Sequence, residues 1–187
     1  DGPFTAEAAA PGFINFHLAP ERLHANLVAS AAEDWSRSSI GAGQRVNVEY
    51  VSANPTGDLH IGHGRGAVIG DAIARLLAHA GHEVVREYYL NDVGGQVEAL
   101  GASLLAAAGR RRPDGEEWPR TYPVEAAARA FLEAKDPAND PMAAARFAMD
   151  FYRERIMALL ERLAIRFDEV VSEAGLVDGV PALLEEL

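Results

Sequence analysis

The chain contains 187 residues, 49% of them apolar, and has a formal net charge of -11. That size and composition suit one folded domain, or one domain with an appendage. The absence of cysteine excludes disulfides and thiolate metal sites, and no apolar run reaches the roughly 20 residues that a membrane-spanning helix needs. The acidic balance argues against a broad nonspecific nucleic-acid surface, because such surfaces carry excess basic residues. We therefore expect a cytoplasmic protein without a membrane partner.

Residues 1–42 are expected to form a region of their own. Residues 1–11 are small, polar and punctuated by proline, which indicates the edge of a preceding unit. Residues 12–18 alternate apolar and polar side chains, the period of a half-buried strand. Residues 20–38 predict a helix with one buried stripe, because apolar side chains recur at every fourth position. The stripe comprises Leu23, Leu27, Ala31 and Trp35.

Residues 43–109 have the pattern of a parallel α/β unit. A strand over 45–51 leads through turn residues into a helix over 59–80, which Gly81 ends. A second strand and a second helix follow over 83–90 and 92–108. This order predicts a parallel sheet with right-handed crossovers. The inward side of the first helix is expected to carry Ile61, Val68, Ile69, Ile73, Leu76 and Leu77.

Residues 110–187 are expected to form a helical insertion and the start of a further segment. A solvated loop over 110–123 contains arginines, prolines and a glycine. The remaining elements are predicted as helices over 124–134 and 141–163, a short strand over 165–172 and a helix over 180–187. That last helix has no cap, which indicates a chain cut from a longer protein.

The segment His60-Ile61-Gly62-His63 carries the chemistry. It lies where the first parallel strand leads into a helix, and ligands bind beyond the carboxyl ends of such strands, where helix amino-termini attract phosphates. Glycines at 62, 64 and 66 leave room for a base or ribose, and the two histidines offer donors at a three-residue spacing. The segment is neither a phosphate-binding loop nor a dinucleotide fingerprint. A zinc site lacks its third ligand.

The motif and its flanks resemble the arginyl branch of the class I aminoacyl-tRNA synthetases. Residues 60–63 reproduce the HIGH signature, and residues 48–57 (VEYVSANPTG) and 85–96 (VREYYLNDVGGQ) look like that branch in particular. The likeness extends from residues 12–16 to Phe167-Asp168 and Ser172-Glu173. It implies an α/β chain with a partial Rossmann-like nucleotide-binding fold and a helical insertion.

The same resemblance implies three regions. Residues 1–42 correspond to the end of an amino-terminal tRNA-binding domain and a connecting helix. Residues 43–109 correspond to the first half of the Rossmann-like catalytic domain with the HIGH motif. Residues 110–187 correspond to the insertion and the start of the following segment. The chain is thus expected to be the amino-terminal half of a synthetase catalytic core.

The resemblance implies roles for the motif in ATP binding. His60 and His63, with Gly62 and Gly64, would hold ATP and stabilise charge on its α-phosphate while the arginine carboxylate attacks and pyrophosphate departs. The product would be arginyl-adenylate, from which tRNA(Arg) takes the arginyl group. ATP with Mg²⁺ enters as substrate, and neither a prosthetic group nor a resident metal is expected. The structural alternative is that both histidines merely cap the helix.

The resemblance also implies an arginine pocket lined by Glu49, Ser52 and Asn54. A buried guanidinium needs a carboxylate, because it offers five fixed donors and loses hydration. The structural alternative for Glu49 is an exposed strand position. Three further residues follow the second strand and are candidates for ligand contact or, for the first two, helix capping. They are Asn91, Asp92 and Gln96.

The sequence departs from the family in several ways. It contains no lysine-bearing loop of the family's second signature, because its only lysine, Lys135, lies in a different context. Asp58 stands where the family usually has proline and is compatible with a first-turn acid. We expect the isolated chain to be inactive, the parent protein to be monomeric, and an unpaired sheet edge to favour self-association of the chain.

Two other classes of protein stay open at this point. One is a noncatalytic, truncated relative that binds arginine or ATP or docks on a partner. The other is a nucleotidyltransferase with a related His-x-Gly-His motif. The polar residues at positions 49, 52 and 54 weigh against the second class, because such an enzyme needs no guanidinium pocket.

Overall fold

A computed structural model describes residues 4–32, 36–134 and 139–186. The strands are β1 (Phe4–Ala9), β2 (Phe13–Leu18), β3 (Arg45–Glu49), β4 (Glu83–Leu90) and β5 (Glu169–Ser172). The α-helices are α1 (Pro20–Ser30), α2 (Ile61–His79), α3 (Gly95–Ala107), α4 (Glu125–Glu133), α5 (Pro141–Arg162), α6 (Glu173–Leu176) and α7 (Val180–Glu186), with a 3-10 turn over Val177–Gly179. None of the described helices is long and apolar enough to cross a membrane.

The centre of the fold is a three-stranded parallel sheet in the order β3-β4-β5. Because the strand order follows the chain, right-handed crossovers place the connecting helices on one face. Tyr50 and Tyr88 accordingly pack on that side with Ala67 of α2 and Ile156 of α5. The opposite face carries the exposed side chains of Asn47 and Glu49. The predicted parallel α/β architecture is therefore confirmed.

A second hydrophobic core lies between three helices. α3, α4 and α5 enclose Leu100, Leu104 and Phe131, which are completely buried. The same core contains Tyr152 of α5, four residues before Ile156 in the sheet-side core. α5 therefore joins the three-helix core to the sheet, and the predicted helices over 124–134 and 141–163 are confirmed within a residue or two.

The predicted inward face of α2 is wrong. Leu77 is half-buried, and the other five predicted residues are exposed by 46–92%. Those five are Ile61, Val68, Ile69, Ile73 and Leu76. The buried residues of α2 are Ala67, Gly70 and Ala74. The helix lies so close to the sheet that only small side chains fit between them.

The amino-terminal region also differs from its prediction. Residues predicted as an irregular edge form β1, which pairs with β2 in an antiparallel hairpin and places Phe4 edge-on to Phe16 at 5.3 Å between ring centroids. The predicted half-burial of β2 is wrong, because all its residues are exposed. α1 ends at Ser30 and buries no residue, so its stripe is not part of a core. Trp35 lies outside the described residues.

Other boundaries differ for backbone reasons. The first strand stops at Glu49 rather than at residue 51 because Val51 adopts a positive φ of 67°. The helix predicted from residue 92 begins at Gly95, after Gly94 with a φ of 87°. The strand predicted over 165–172 is shortened to β5. Gly81, with a φ of 94°, ends α2 as predicted.

Candidate active site at the carboxyl edge of the sheet

The loop between β3 and α2 is fixed to β4 by side-chain hydrogen bonds. Val51 and Ser52 both have positive φ values, of 67° and 39°, and such backbone costs on the order of 1–3 kcal/mol per residue unless its surroundings hold it. The Ser52 hydroxyl accepts a hydrogen bond from the Tyr89 amide at 3.1 Å. The buried Tyr88 hydroxyl donates to the Ala53 carbonyl at 2.6 Å. The loop is therefore held at the edge where the strands end.

The two motif histidines form a stacked pair at the start of α2. Their ring centroids are 3.8 Å apart and their planes differ by 19°. The His60 Nδ1 accepts from the Gly62 amide at 3.1 Å, and the His63 Nδ1 accepts from the His60 amide at 3.2 Å. In a neutral imidazole the other nitrogen then carries the proton. Both rings consequently keep an Nε2–H as a donor.

The stacked arrangement favours the neutral form of the His63 imidazole. Burial and, after it, the neighbouring His60 lower the pKa of His63 below its ordinary value. Protonation of the His63 Nδ1 would also break its bond to the His60 amide, because a protonated nitrogen cannot accept. Capping of α2 by histidine, the structural alternative, is thus present. It uses only Nδ1 and leaves the Nε2–H groups available to a ligand.

The three residues predicted to line the arginine pocket all lie on this edge, in different surroundings. Glu49 is exposed at the end of β3, as its structural alternative predicts, and its carboxylate has no hydrogen bond among the described residues. The Ser52 hydroxyl already accepts a hydrogen bond from the Tyr89 amide. Asn54 donates to the Gln96 side chain at 2.9 Å. The structure therefore brings Asn54 and Gln96 into contact, as neighbours on adjoining elements.

Asp92 does not cap the helix that follows it. α3 begins with Gly94 as its cap and has no side-chain capping bond. The Asp92 carboxylate instead accepts from the Ser172 hydroxyl at 2.6 Å and from the Ala174 amide at 2.8 Å. It therefore joins the end of β4 to the start of α6. Asn91 is half-buried at the same edge and does not cap α3 either, so the capping alternative is wrong for both residues.

Glu173 is a candidate residue that the pattern of the sequence did not single out. Its Oε2 atom is buried and has no hydrogen-bond partner among the described residues. Burial and, after it, the negative charges of Glu173, Asp92 and Glu49 raise the pKa of Tyr89 above its ordinary value. All three carboxylates therefore act on the Tyr89 hydroxyl. The sequence carried one signal for Glu173. This residue directly follows β5, the third strand of the parallel sheet, and all three strands end at this edge.

Asp58 lies outside α2 and therefore is not a first-turn acid. The helix begins three residues later, at Ile61, and has no acidic residue in its first turn. The Asp58 carboxylate forms a two-point ion pair with Arg155 of α5, with distances of 2.7 and 3.0 Å. Among the described residues, no group of three or more His, Cys, Asp or Glu side chains is arranged to hold a metal ion.

The nucleotide-binding fold and the HIGH motif define the class of protein. The family model described as "tRNA synthetases class I (R), catalytic domain" matches residues 26–114. The chain is 44% identical over 188 residues to the arginine-tRNA ligase of Magnetococcus marinus, covering 91% of this chain and 32% of that protein. It is 42% identical over 203 residues to the ligase of Roseobacter denitrificans, covering 98% and 34%.

Solved structures agree with the sequence comparison. A Campylobacter jejuni protein provisionally described as an arginyl-tRNA synthetase matches with a TM-score of 0.71 and 34% identity over 87% of this chain and 38% of that one. Thermus thermophilus arginyl-tRNA synthetase matches with a TM-score of 0.56 and 32% identity over 97% and 32%. The chain belongs to the arginyl-tRNA synthetase family. It spans about a third of the length of the curated relatives it matches.

Proposed function

We propose that this chain supplies the first half of a catalytic core that activates arginine with ATP and transfers the arginyl group to tRNA(Arg). The stacked His60–His63 pair is the observation that carries the proposal. It presents two Nε2–H donors at the amino end of the 19-residue α2. Such a helix end attracts anions because of its dipole and free backbone N–H groups. The ligand that suits this arrangement is a phosphate group of ATP.

The reaction that fits is adenylate formation. The arginine carboxylate attacks the α-phosphorus of ATP, a new oxygen–phosphorus bond forms, and the bond to the bridging oxygen breaks as pyrophosphate leaves. The two imidazoles would stabilise the added charge on the α-phosphate oxygens, with Gly62 and Gly64 allowing close approach. Such catalysis rests on position and electrostatics, and ATP would arrive as its Mg²⁺ complex.

The carboxylates beside Tyr89 suit the other substrate. An unpartnered, buried oxygen on Glu173 is costly unless a donor meets it, and a guanidinium supplies five donors in a fixed fork. Glu49, which is open at the same edge, would face the same cation or the substrate's amino group. Asn54 and Gln96, already in contact, would then bind the amino and carboxylate end. Asn91 and Asp92 would support this wall.

The remaining partner in the proposal is tRNA(Arg), and the proposed place of action is the cytoplasm. The chain itself is acidic, with a formal charge of -11. A broad electrostatic attraction of tRNA by this segment is therefore not part of the proposal. We propose that the isolated segment binds ATP and arginine weakly and does not complete the transfer, since it spans about a third of its relatives.

The proposal is tested by titrating the chain with a nonhydrolysable ATP analogue in a calorimeter. Saturable binding is expected. His63→Ala should weaken it about ten- to hundredfold, because a hydrogen bond to a charged group contributes about 1.5–3 kcal/mol. His24→Ala is the matched control, since His24 is exposed on α1. Absence of binding by the wild-type chain, or equal loss in both variants, would contradict the proposed nucleotide site.

A further inference from the structure

The ion pair between Asp58 and Arg155 connects two parts of the fold that the sequence separates by 97 positions. Arg155 Nε lies 2.7 Å from Asp58 Oδ1, and a second guanidinium nitrogen lies 3.0 Å from Oδ2. This two-point geometry fixes orientation as well as distance. The guanidinium also lies over the ring of Phe151, 5.5 Å from its centroid. The arginine is therefore held by the Asp58 carboxylate and by the Phe151 ring.

The pair anchors the part of the loop that is otherwise least restrained. Residues 50–55 are tied to β4 and α3 through the bonds of Tyr88 and Gln96. Apart from the bonds between His60 and the first turn of α2, the two hydrogen bonds of the Asp58–Arg155 pair are the side-chain hydrogen bonds that join residues 56–60 to another element in the described part of the chain. Leu59 adds apolar packing against the sheet-side core. His60 follows directly and begins the histidine pair.

We propose that Arg155 is a positioning residue of the nucleotide site, acting through Asp58 to hold residues 56–60 and thereby the stacked imidazoles of His60 and His63. The inference rests on the proposed function for its consequence in ATP binding. Its structural half does not depend on ATP. The His60 backbone amide donates to the His63 ring, so a shift of the backbone at residue 60 disturbs both imidazoles at once.

The Asp58–Arg155 pair is expected to hold local geometry rather than to stabilise the whole fold. The side chains of Arg155 and Asp58 are 50% and 53% exposed, and exposed ion pairs contribute little to folding. Loss of the pair should therefore leave the unfolding midpoint unchanged and increase local opening at the start of α2. Local opening of this kind is visible as faster exchange of individual backbone amides.

The test uses amide hydrogen exchange of the whole chain, with the Gly62 amide as probe because it donates to the His60 ring. Asp58→Asn removes the charge with little change of shape, and Arg155→Lys keeps the charge but loses the fork. Each is expected to speed Gly62 exchange by about three- to tenfold. The charge-swapped double variant, Asp58→Arg with Arg155→Asp, is expected to restore slow exchange.

Binding of a nonhydrolysable ATP analogue is the second measurement. Each single variant is expected to weaken binding by about three- to tenfold, and the swapped variant to recover most of it. A matched control is Glu117→Gln, which breaks the exposed Arg111–Glu117 pair of 3.0 Å between α3 and α4. That control should change neither Gly62 exchange nor analogue binding.

The outcomes separate the two proposals. Faster Gly62 exchange with rescue by the swap, in a chain that binds no ATP analogue, would support the positioning link and contradict the proposed function. Normal exchange and undiminished binding in both single variants would overturn the link and leave the proposed function standing. If Asp58→Asn lowers the unfolding midpoint, its exchange rates cannot be compared with those of the wild-type chain, and the test is made with Arg155→Lys. Unchanged Gly62 exchange in that folded variant would overturn the link.

Discussion

Gly70 of α2 lies directly against the aromatic ring of Tyr50, and a Cβ at this position would overlap with that ring. The contact brings α2 close to the sheet one residue beyond β3. It also explains why the buried side of α2 consists of small residues rather than of its isoleucines and leucines. The spacing of α2 from the sheet, and with it the location of the histidine pair, depends on this glycine.

Gly70→Ala is expected to destabilise the chain by about 1–3 kcal/mol, because the added methyl group overpacks the core. Chemical denaturation monitored by circular dichroism measures this change. Gly66→Ala, in the same helix, is the control. No atom lies within 4 Å of a Cβ at Gly66, so this change should stabilise the helix by up to about 1 kcal/mol. Equal effects of the two substitutions would contradict the close approach at Gly70.

How much of the fold the sequence predicts depends on the kind of signal. The strand–turn–helix order around residue 60 is local chemistry, and the parallel sheet follows from it. The inward face of α2 was mispredicted because large apolar residues were assumed to be buried. The small residues at 67, 70 and 74 were the informative stripe, with the spacing of one helix face. Burial also depends on what a helix meets, and α1 meets no core among the described residues.

The candidate site shows a similar limit. The motif at residues 60–63 predicts from sequence alone where a nucleotide would bind. Glu173 was not singled out, because it lies more than a hundred residues from the motif and its unpartnered oxygen is visible only in three dimensions. The Asp58–Arg155 pair was missed for the same reason. The capping alternative for Asn91 and Asp92 was wrong because Gly94 delays the start of α3.

Tyr88→Phe is expected to destabilise the chain by about 1–3 kcal/mol, because it leaves the Ala53 carbonyl without its buried donor. Burial raises the pKa of Tyr88 to about 12. An unfolded tyrosine ionises near its ordinary value of 10.0, so the folded wild-type chain loses stability as pH rises from about 10 towards about 12. Tyr88→Phe should remove that part of the alkaline loss. Unfolding midpoints at several pH values measure both effects, with Tyr122→Phe as control.

Ser103→Ala is expected to weaken the attachment of residues 121–122 to α3. The fully buried Ser103 hydroxyl donates to the Ala99 carbonyl at 2.7 Å and accepts from the Thr121 and Tyr122 amides at 2.9 and 3.1 Å. Its removal leaves two amides without an acceptor, and each unpaired amide lowers the free energy of unfolding by up to about 3 kcal/mol. Faster exchange of those two amides is the measurement. Ser30→Ala, on the exposed end of α1, should have no effect on them.

The pH dependence of His63 offers a test of the histidine geometry. Its pKa is lowered below the ordinary 6.5 by burial and by His60. The unfolded chain therefore binds a proton at this residue before the folded chain does, and stability falls as pH drops from 6.5 through the folded pKa. An NMR titration of the His63 ring should give a midpoint below 6.5. A midpoint at or above that value would contradict the stacked, Nδ1-bonded arrangement.

The proposed arginine site is tested by calorimetric titration of the chain with arginine in the presence of a nonhydrolysable ATP analogue. We expect saturable binding of arginine and no measurable binding of lysine. Glu49→Gln and Glu173→Gln should each weaken arginine binding about tenfold or more, because each removes a carboxylate facing the guanidinium or the amino group. Equal affinity for lysine, or undiminished arginine binding in both variants, would contradict an arginine site at this edge of the sheet.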